Sequence, residues 1–250
     1  MEKTDYCVLL EDLETELNLI YEMKKSSLET SYLEDAPIKL KTSVKSFAGN
    51  VESVLDYLSW HIFEKVYLPR LKEQKVSQEE IENKMRCISF PNKKDRKKNS
   101  FYKQMENMFP NINNEFPNLY DSIERVQPYN YDKLMDSWLY LANKIANDTK
   151  HRSLIRIDSR ESMSIEYLEL PGNNTLSDVR IEGAKHSIVL GDQPLTKENA
   201  NELGVKEFQG NIESYYLING LNLPLYKTLK MIFDQLSTTV EDIEKHIPTK

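Results

Sequence analysis

Asn147, Lys150, His151 and Arg152 are the group of side chains in this sequence best suited to act on a phosphodiester. Asn147 and His151 lie four residues apart, so on a helix they share a face. Lys150 and Arg152 place positive charge on either side of the histidine. In an open site the cations would grip a phosphate and the amide would hydrogen-bond it. An imidazole titrates near neutral pH and can move a proton there. That set is the minimum for metal-independent RNA cleavage, in which the ribose 2′-hydroxyl attacks the adjacent phosphorus. On this reading His151 and Asn147 are the candidate catalytic residues, and Lys150 and Arg152 bind the phosphate. A structural reading stands beside it. Cations in a last helical turn complement the negative end of the helix dipole, and polar side chains there cap orphan carbonyls.

Two further groups carry potential chemistry. Ser46, Asn50, Ser53, Tyr57 and His61 recur every three or four residues and form a polar stripe beside an apolar one. Facing the Asn147–His151 helix, that stripe would line a groove in which Tyr57 and His61 are binding residues. As boundary residues they would each satisfy one polar atom and do nothing more. The run Lys93, Lys94, Asp95, Arg96, Lys97, Lys98 is the dense basic segment, and Phe101 and Tyr102 follow it. Cations that track phosphates and rings that stack on bases suit nucleic acid, and they equally suit a solvated loop.

These groups must be positioned by helices. Leu10, Leu13, Leu17 and Ile20 make one apolar stripe on a helix that runs to about Leu33, before Ala36-Pro37. Phe47, Val51, Val54, Leu58 and Ile62 mark the buried face of a second helix from Lys39 to about Lys72, which Pro69 ends early or kinks. Ser77 and Glu80 form a capping box for a third. Phe101 to Met108 and Leu119 to Val126 read as short helices, Gln127-Pro128-Tyr129 as a turn, and Tyr131 to about Lys150 as a patterned helix with Leu134, Trp138, Leu141 and Ile145 inside. From Ser153 the period changes. Ser162 to Leu170, Val179 to Ile181, Ser187 to Leu190 and Phe208 to Ile218 read as strands, with a short helix from Thr196 to Leu203 closed by Gly204. Leu225, Leu229, Ile232, Leu236, Val240 and Ile243 predict a closing helix from Pro224 to Ile247.

The expected fold is therefore mainly α (α+β). It is a helical bundle over residues 1–152 and 223–247, with a small antiparallel sheet inserted at 153–219, in a single domain.

Composition excludes several classes. The net charge of -7 means that any polyanion site is a local patch. No Gly-rich loop leads into Lys-Ser or Lys-Thr, which argues against a P-loop nucleotidase. Four scattered histidines and two distant cysteines give no support to a metal site, and no cofactor is expected. The acidic opening residues lack the apolar run of a secretory leader, and no segment is apolar enough to span a bilayer. With only two cysteines, a reducing, cytoplasmic setting is expected.

Five segments together resemble a bacterial helical-bundle family of unassigned function. They are Val51 to Trp60 (VESVLDYLSW), Ser89-Phe90-Pro91, Val126-Gln127-Pro128-Tyr129, Leu139-Tyr140-Leu141 and Asn147 to Arg152 (NDTKHR). More distantly, Asn147-x-x-x-His151 resembles the tail of the HEPN ribonuclease motif, an arginine followed about five residues later by histidine. Ala146 stands at the arginine position, and Glu52 and Tyr57 are the corresponding pair on the second helix. The resemblance implies a bundle, a role in phage defence or toxin-type RNA binding or cleavage, and a homodimer in which two copies build one site. The regular apolar stripe of the closing helix points to a dimer as well. The alternative is a non-catalytic module that keeps the bundle and binds a protein partner, which Ala146 favours. RNA and a protein are thus the two expected partner classes, and no membrane is expected.

Overall fold

A computed structural model describes residues 4–30, 36–95, 100–151, 154–172, 174–184, 189–190, 192–196 and 199–248. The architecture is α+β, with helices preceding an antiparallel sheet and one helix following it. The chain contacts divide into two compact units. The first holds residues 1–18, 43–153 and 229–250, and the second holds 19–42 and 154–228.

The helices are α1 (Asp5–Thr30), α2 (Ile38–Ile62), α3 (Leu68–Glu73), α4 (Gln78–Met85), α5 (Ser100–Met108), α6 (Ile112–Glu115), α7 (Pro117–Arg125), α8 (Trp138–His151) and α9 (Leu225–Glu244). The predicted stripe of α2 is the buried one, with Phe47, Val51, Val54, Leu58 and Ile62 all sealed from solvent. Pro69 does not end the helical run. A π-helical turn, Phe63–Tyr67, precedes α3 and Pro69 falls in the first turn of α3. There the missing N–H is one that a helix start leaves unbonded anyway. Ser77 caps α4 as predicted, its Oγ accepting from the Glu80 N–H at 3.3 Å.

The helix predicted from Tyr131 begins seven residues later. Leu134–Asp136 is a 3-10 turn, and Ser137, in extended backbone, caps α8 by accepting from the Tyr140 N–H at 3.2 Å. Trp138, Leu141 and Ile145 are buried as expected, while Leu134 is only half-buried. In α9, Leu225, Leu229, Ile232, Leu236, Val240 and Ile243 are all buried, so this stripe is core and offers no face for a dimer.

The second unit is built on long strands rather than short ones: β1 (Ile157–Leu170), β2 (Asn174–Ala184) and β5 (Glu207–Ile218). β3 (Val189–Leu190) pairs with β4 (Gln193–Pro194), and β6 (Leu223–Pro224) completes a sheet in the order β2-β1-β5-β6. The pairs are antiparallel, with Met163 opposite both Ile181 and Ile212. Along β1 the inward positions are odd-numbered to Ile165 and then jump to Leu168, because a bulge between Ile165 and Tyr167 resets the alternation. Gly210 sits opposite Ile165, where a β-carbon would come within 2.2 Å of the Ser164 carbonyl oxygen. Met163, Ile165, Leu168, Leu195, Ala200 and Val205 form this unit's own core.

The short helix predicted from Thr196 is not formed over its described part, where residues 199–204 are turns. Thr196 and Asn199 nevertheless exchange the reciprocal bonds of a capping box: Asn199 Oδ1 accepts from the Thr196 N–H at 2.7 Å and Thr196 Oγ1 accepts from the Asn199 N–H at 3.2 Å, while Asn199 Nδ2 donates to the Pro194 carbonyl at 2.8 Å. Gly204 does close the segment, at φ +75°.

Candidate functional site

In the first unit, one face of α2, one face of α8 and the extended segment 88–95 enclose a cleft of about 270 Å³. Helical spacing places its polar groups. Glu52 and Asp56 are four apart on α2, and Asn143 and Asn147 are four apart on α8, so each pair projects from one face. Val51, Leu55, Leu139 and Ala142 form the apolar floor, and Phe90 and Asn92 supply the third wall.

The side chains are tied to one another across the cleft. Asn143 Nδ2 donates to Glu52 Oε1 at 3.3 Å, and Asn147 Nδ2 donates to Asn143 Oδ1 at 2.9 Å. Asp56 Oδ1 accepts from the Phe90 N–H at 2.9 Å, and Asn92 Nδ2 reaches the Leu139 carbonyl at 3.5 Å. Asn92 Oδ1 is buried without a hydrogen-bond partner.

The third wall is an extended segment with no ladder of its own, so something else must hold it. Gln127, fully buried, does so. Its Nε2 donates to the carbonyls of Pro91 and Ile123, both at 3.0 Å, and its Oε1 accepts from the Lys93 N–H at 3.0 Å. Asp56 on α2 thus meets Phe90, Gln127 meets Pro91, and Asn92 meets Leu139 on α8.

Of the predicted site residues, the cleft takes in Asn147, which is exposed at its rim. Lys150 and His151 belong to the last turn of α8, but their side chains lie outside the described residues, as does Arg152 altogether. Ala146 is buried in the helix's inner face. Tyr57 and His61 do not line the cleft. The predicted polar stripe faces α1 instead, where Asn50 Nδ2 donates to Glu16 Oε2 at 3.2 Å. Tyr57 is exposed, and His61 packs edge-on against the Tyr6 ring at 5.4 Å between centroids. Burial, with the nearby Lys65 charge, pushes the His61 imidazole below its ordinary pKa, against the opposing pull of Glu64 and Glu244. In the basic run, the Lys93 backbone is held by Gln127 and the Lys94 ammonium lies 4.9 Å from the centre of the Tyr140 ring. Arg96, Lys97 and Lys98 are outside the described residues.

Sequence reasoning passed over Glu52, Asp56, Asn92, Asn143 and Gln127. A signal for Glu52, Asp56 and Asn143 was present, because each helix carries a polar pair at a spacing of four beside its apolar stripe.

The described lining holds acceptors and amides but no cation. Such walls read hydrogen-bonding edges, and a phosphate would have to sit beside them rather than among them. Among the described residues no cluster of His, Cys, Asp or Glu could hold a metal ion, and no helix is long and apolar enough to cross a membrane. No protein-family model, curated protein or solved structure matches this chain.

Proposed function

We propose that this chain is a HEPN-like RNA-binding module whose α2–α8 cleft receives a nucleobase, with the phosphates held outside it by lysines such as Lys94. The supporting observation is the lining: amides of Asn92, Asn143 and Asn147 and carboxylates of Glu52 and Asp56 around a cleft of about 270 Å³. Asn reads adenine edges, Glu and Asp accept from the cytosine amino group, and splayed single-stranded bases are the usual targets of such readers. In the cleaving version of this reading His151 moves the proton, Asn147, Lys150 and Arg152 hold the scissile phosphate, and the biological setting is toxin-type or phage-defence RNA metabolism. A homodimer belongs to the same reading.

The test is fluorescence anisotropy with labelled single-stranded homopolymer RNAs in EDTA at fixed salt. Asn143→Ala and Asn147→Ala should weaken binding to the preferred base roughly 5- to 150-fold and flatten base preference. Parallel incubation with mixed RNA should show cleavage that His151→Ala abolishes. Cleavage that survives the substitution removes the role of His151. RNA binding that ignores both asparagines removes the cleft from the reading.

A second reading is a protein-interaction module. The two carboxylates favour it, since Glu52 and Asp56 would receive an arginine or lysine of a protein partner. Absence of RNA binding at low salt, with retention of an arginine-bearing peptide, would select it.

A further inference from the structure

β2 is the outermost strand on one side of the second unit's main sheet, whose order is β2-β1-β5-β6. Among the described residues it pairs with β1 alone, so the outer backbone groups of this 11-residue strand have no ladder partner there. An open edge of that length is a template for another strand, and proteins usually blunt it with proline, lysine, a bulge or a short strand. Asp178, at φ +52°, breaks the regular backbone at mid-strand. From Val179 to Gly183 the register with β1 is continuous and there is neither proline nor lysine. The charges in this stretch are Arg180 and Glu182, both exposed on one face of the strand and joined at 2.7 Å. Two charges of one sign would repel an incoming strand of like sequence, whereas this pair carries one of each. On the other face, Val179 and Ile181 are half-buried against the unit's own core.

We propose that β2 pairs antiparallel with β2 of a second copy of this chain, about a two-fold axis at Ile181, joining two four-stranded sheets into one. In an antiparallel pair, directly opposite side chains share a face and touch. In this register Ile181 meets its own copy, and Arg180 stands opposite Glu182 of the other copy, twice over. Each arginine keeps its own glutamate and gains a second, so the four charges alternate in sign. Val179 stands opposite Gly183, which has no side chain to crowd it. The neighbouring registers are worse. Centring the axis on Arg180 sets arginine against arginine and Asp178 against Glu182, and centring it on Glu182 sets glutamate against glutamate. A slip of one residue places Arg180 opposite Ile181 and brings the apolar face of one copy beside the charged face of the other. A two-fold contact requires a patch that is complementary to itself, and the charge pattern around Ile181 is. The pairing gives the proposed homodimer a place to form, which the buried α9 stripe does not. It rests on the sheet edge and not on the α2–α8 cleft.

The test is sedimentation velocity on the full chain at low salt. A contact along one strand edge is small, so a monomer–dimer equilibrium in the range of about 1–300 μM is expected. Arg180→Glu and Glu182→Arg each turn both cross-strand pairs repulsive, and each should weaken dimerisation about tenfold or more. Both positions are exposed, and far-UV circular dichroism confirms that each variant keeps its fold. The decisive sample is an equimolar mixture of the two single variants. One chain then offers two carboxylates and the other two guanidinium groups at matching positions, so a mixed dimer should form where neither variant dimerises alone. The double variant Arg180→Glu/Glu182→Arg restores the pairing within one sequence and should dimerise like the parent. Asn143→Ala, which tests the α2–α8 cleft, should leave dimerisation unchanged, so this contact and the RNA reading fail separately. Hydrogen exchange should show the amides of Val179 to Gly183 gaining protection as concentration rises. A monomer at every concentration, its edge free or taken by a strand of another protein, would overturn the proposal. So would a dimer indifferent to both single substitutions, or a mixture that stays monomeric.

Discussion

Removing the Gln127 side chain should detach the third wall of the α2–α8 cleft. The side chain is fully buried and makes three hydrogen bonds at 3.0 Å, two as donor to Pro91 and Ile123 and one as acceptor from Lys93. Each such bond is worth about 0.5–1.5 kcal/mol net, and each buried partner left unpaired costs about 1–3 kcal/mol. Partial rehydration of the loosened segment limits the sum, so Gln127→Ala should cost about 3–5 kcal/mol. In urea unfolding followed by circular dichroism, that is a fall in midpoint of more than about 1 M. Native-state hydrogen exchange localises the effect: the Lys93 amide should lose its protection, because its acceptor is gone. Gln127→Met keeps the volume and removes all three bonds, so it should resemble the alanine variant. A methionine variant as stable as the parent, or a protected Lys93 amide in Gln127→Ala, would show that packing and not polar pairing holds the wall.

Three other outcomes follow from the packing and the titration behaviour. Leu168→Ala, at a fully buried position in the second unit's core, should lower unfolding stability by about 2–5 kcal/mol in a denaturant titration; a change below about 1 kcal/mol would mean the site collapses freely. Gly210→Ala should destabilise the sheet although it adds only a methyl group, since its β-carbon would meet the Ser164 carbonyl at 2.2 Å, and an unchanged melting temperature would contradict that close approach. The His61 imidazole holds its proton less tightly folded than unfolded, so the unfolded chain binds more protons as acid is added. Stability should fall as the pH drops below about 6.5 and through the lowered folded value. His61→Phe keeps the edge contact to Tyr6 and should flatten the melting-temperature profile between about pH 7.5 and 5.5; an equally steep profile would assign the effect to other groups.

Periodicity made the helices legible because burial imposes it directly. The stripes of α2, α8 and α9 predicted in the sequence are the buried ones, and the Ser77 box caps α4. What local pattern could not supply was competition between bonding schemes. Tyr131 to Asp136 carries a helical pattern, but Ser137 captures the Tyr140 amide and the helix starts there. The sequence predicts β1 only from Ser162 and β2 only from Val179 to Ile181, because the rest of each strand is mostly polar and offers no apolar alternation to count. The site was legible in part. Asn147 does line a cleft, but the sequence paired its helix with the wrong stripe of α2. Ser46 to His61 and Glu52 to Asp56 both have helical spacing, and only tertiary packing decides which row faces α8.

The contacts that hold segment 88–95 explain several of the residue types around the cleft. Asp56 holds the Phe90 amide, Gln127 holds Pro91 and Lys93, and Asn92 reaches the Leu139 carbonyl, so these residue types are explained by the need to fix an extended segment against two helices. Their presence argues for the wall and is silent on what enters the cleft. Selectivity then falls to the remaining polar lining, Glu52, Asn143 and Asn147, which builds a chain of amide and carboxylate contacts at the cleft mouth. The two sets should separate in mutagenesis. Changes in the holding set would lower stability and binding together, whereas Asn147→Ala, at an exposed rim position, would alter binding with stability changed by less than about 0.5 kcal/mol. A stability loss as large for Asn147→Ala as for Gln127→Ala would mean that the rim, too, exists to hold the fold.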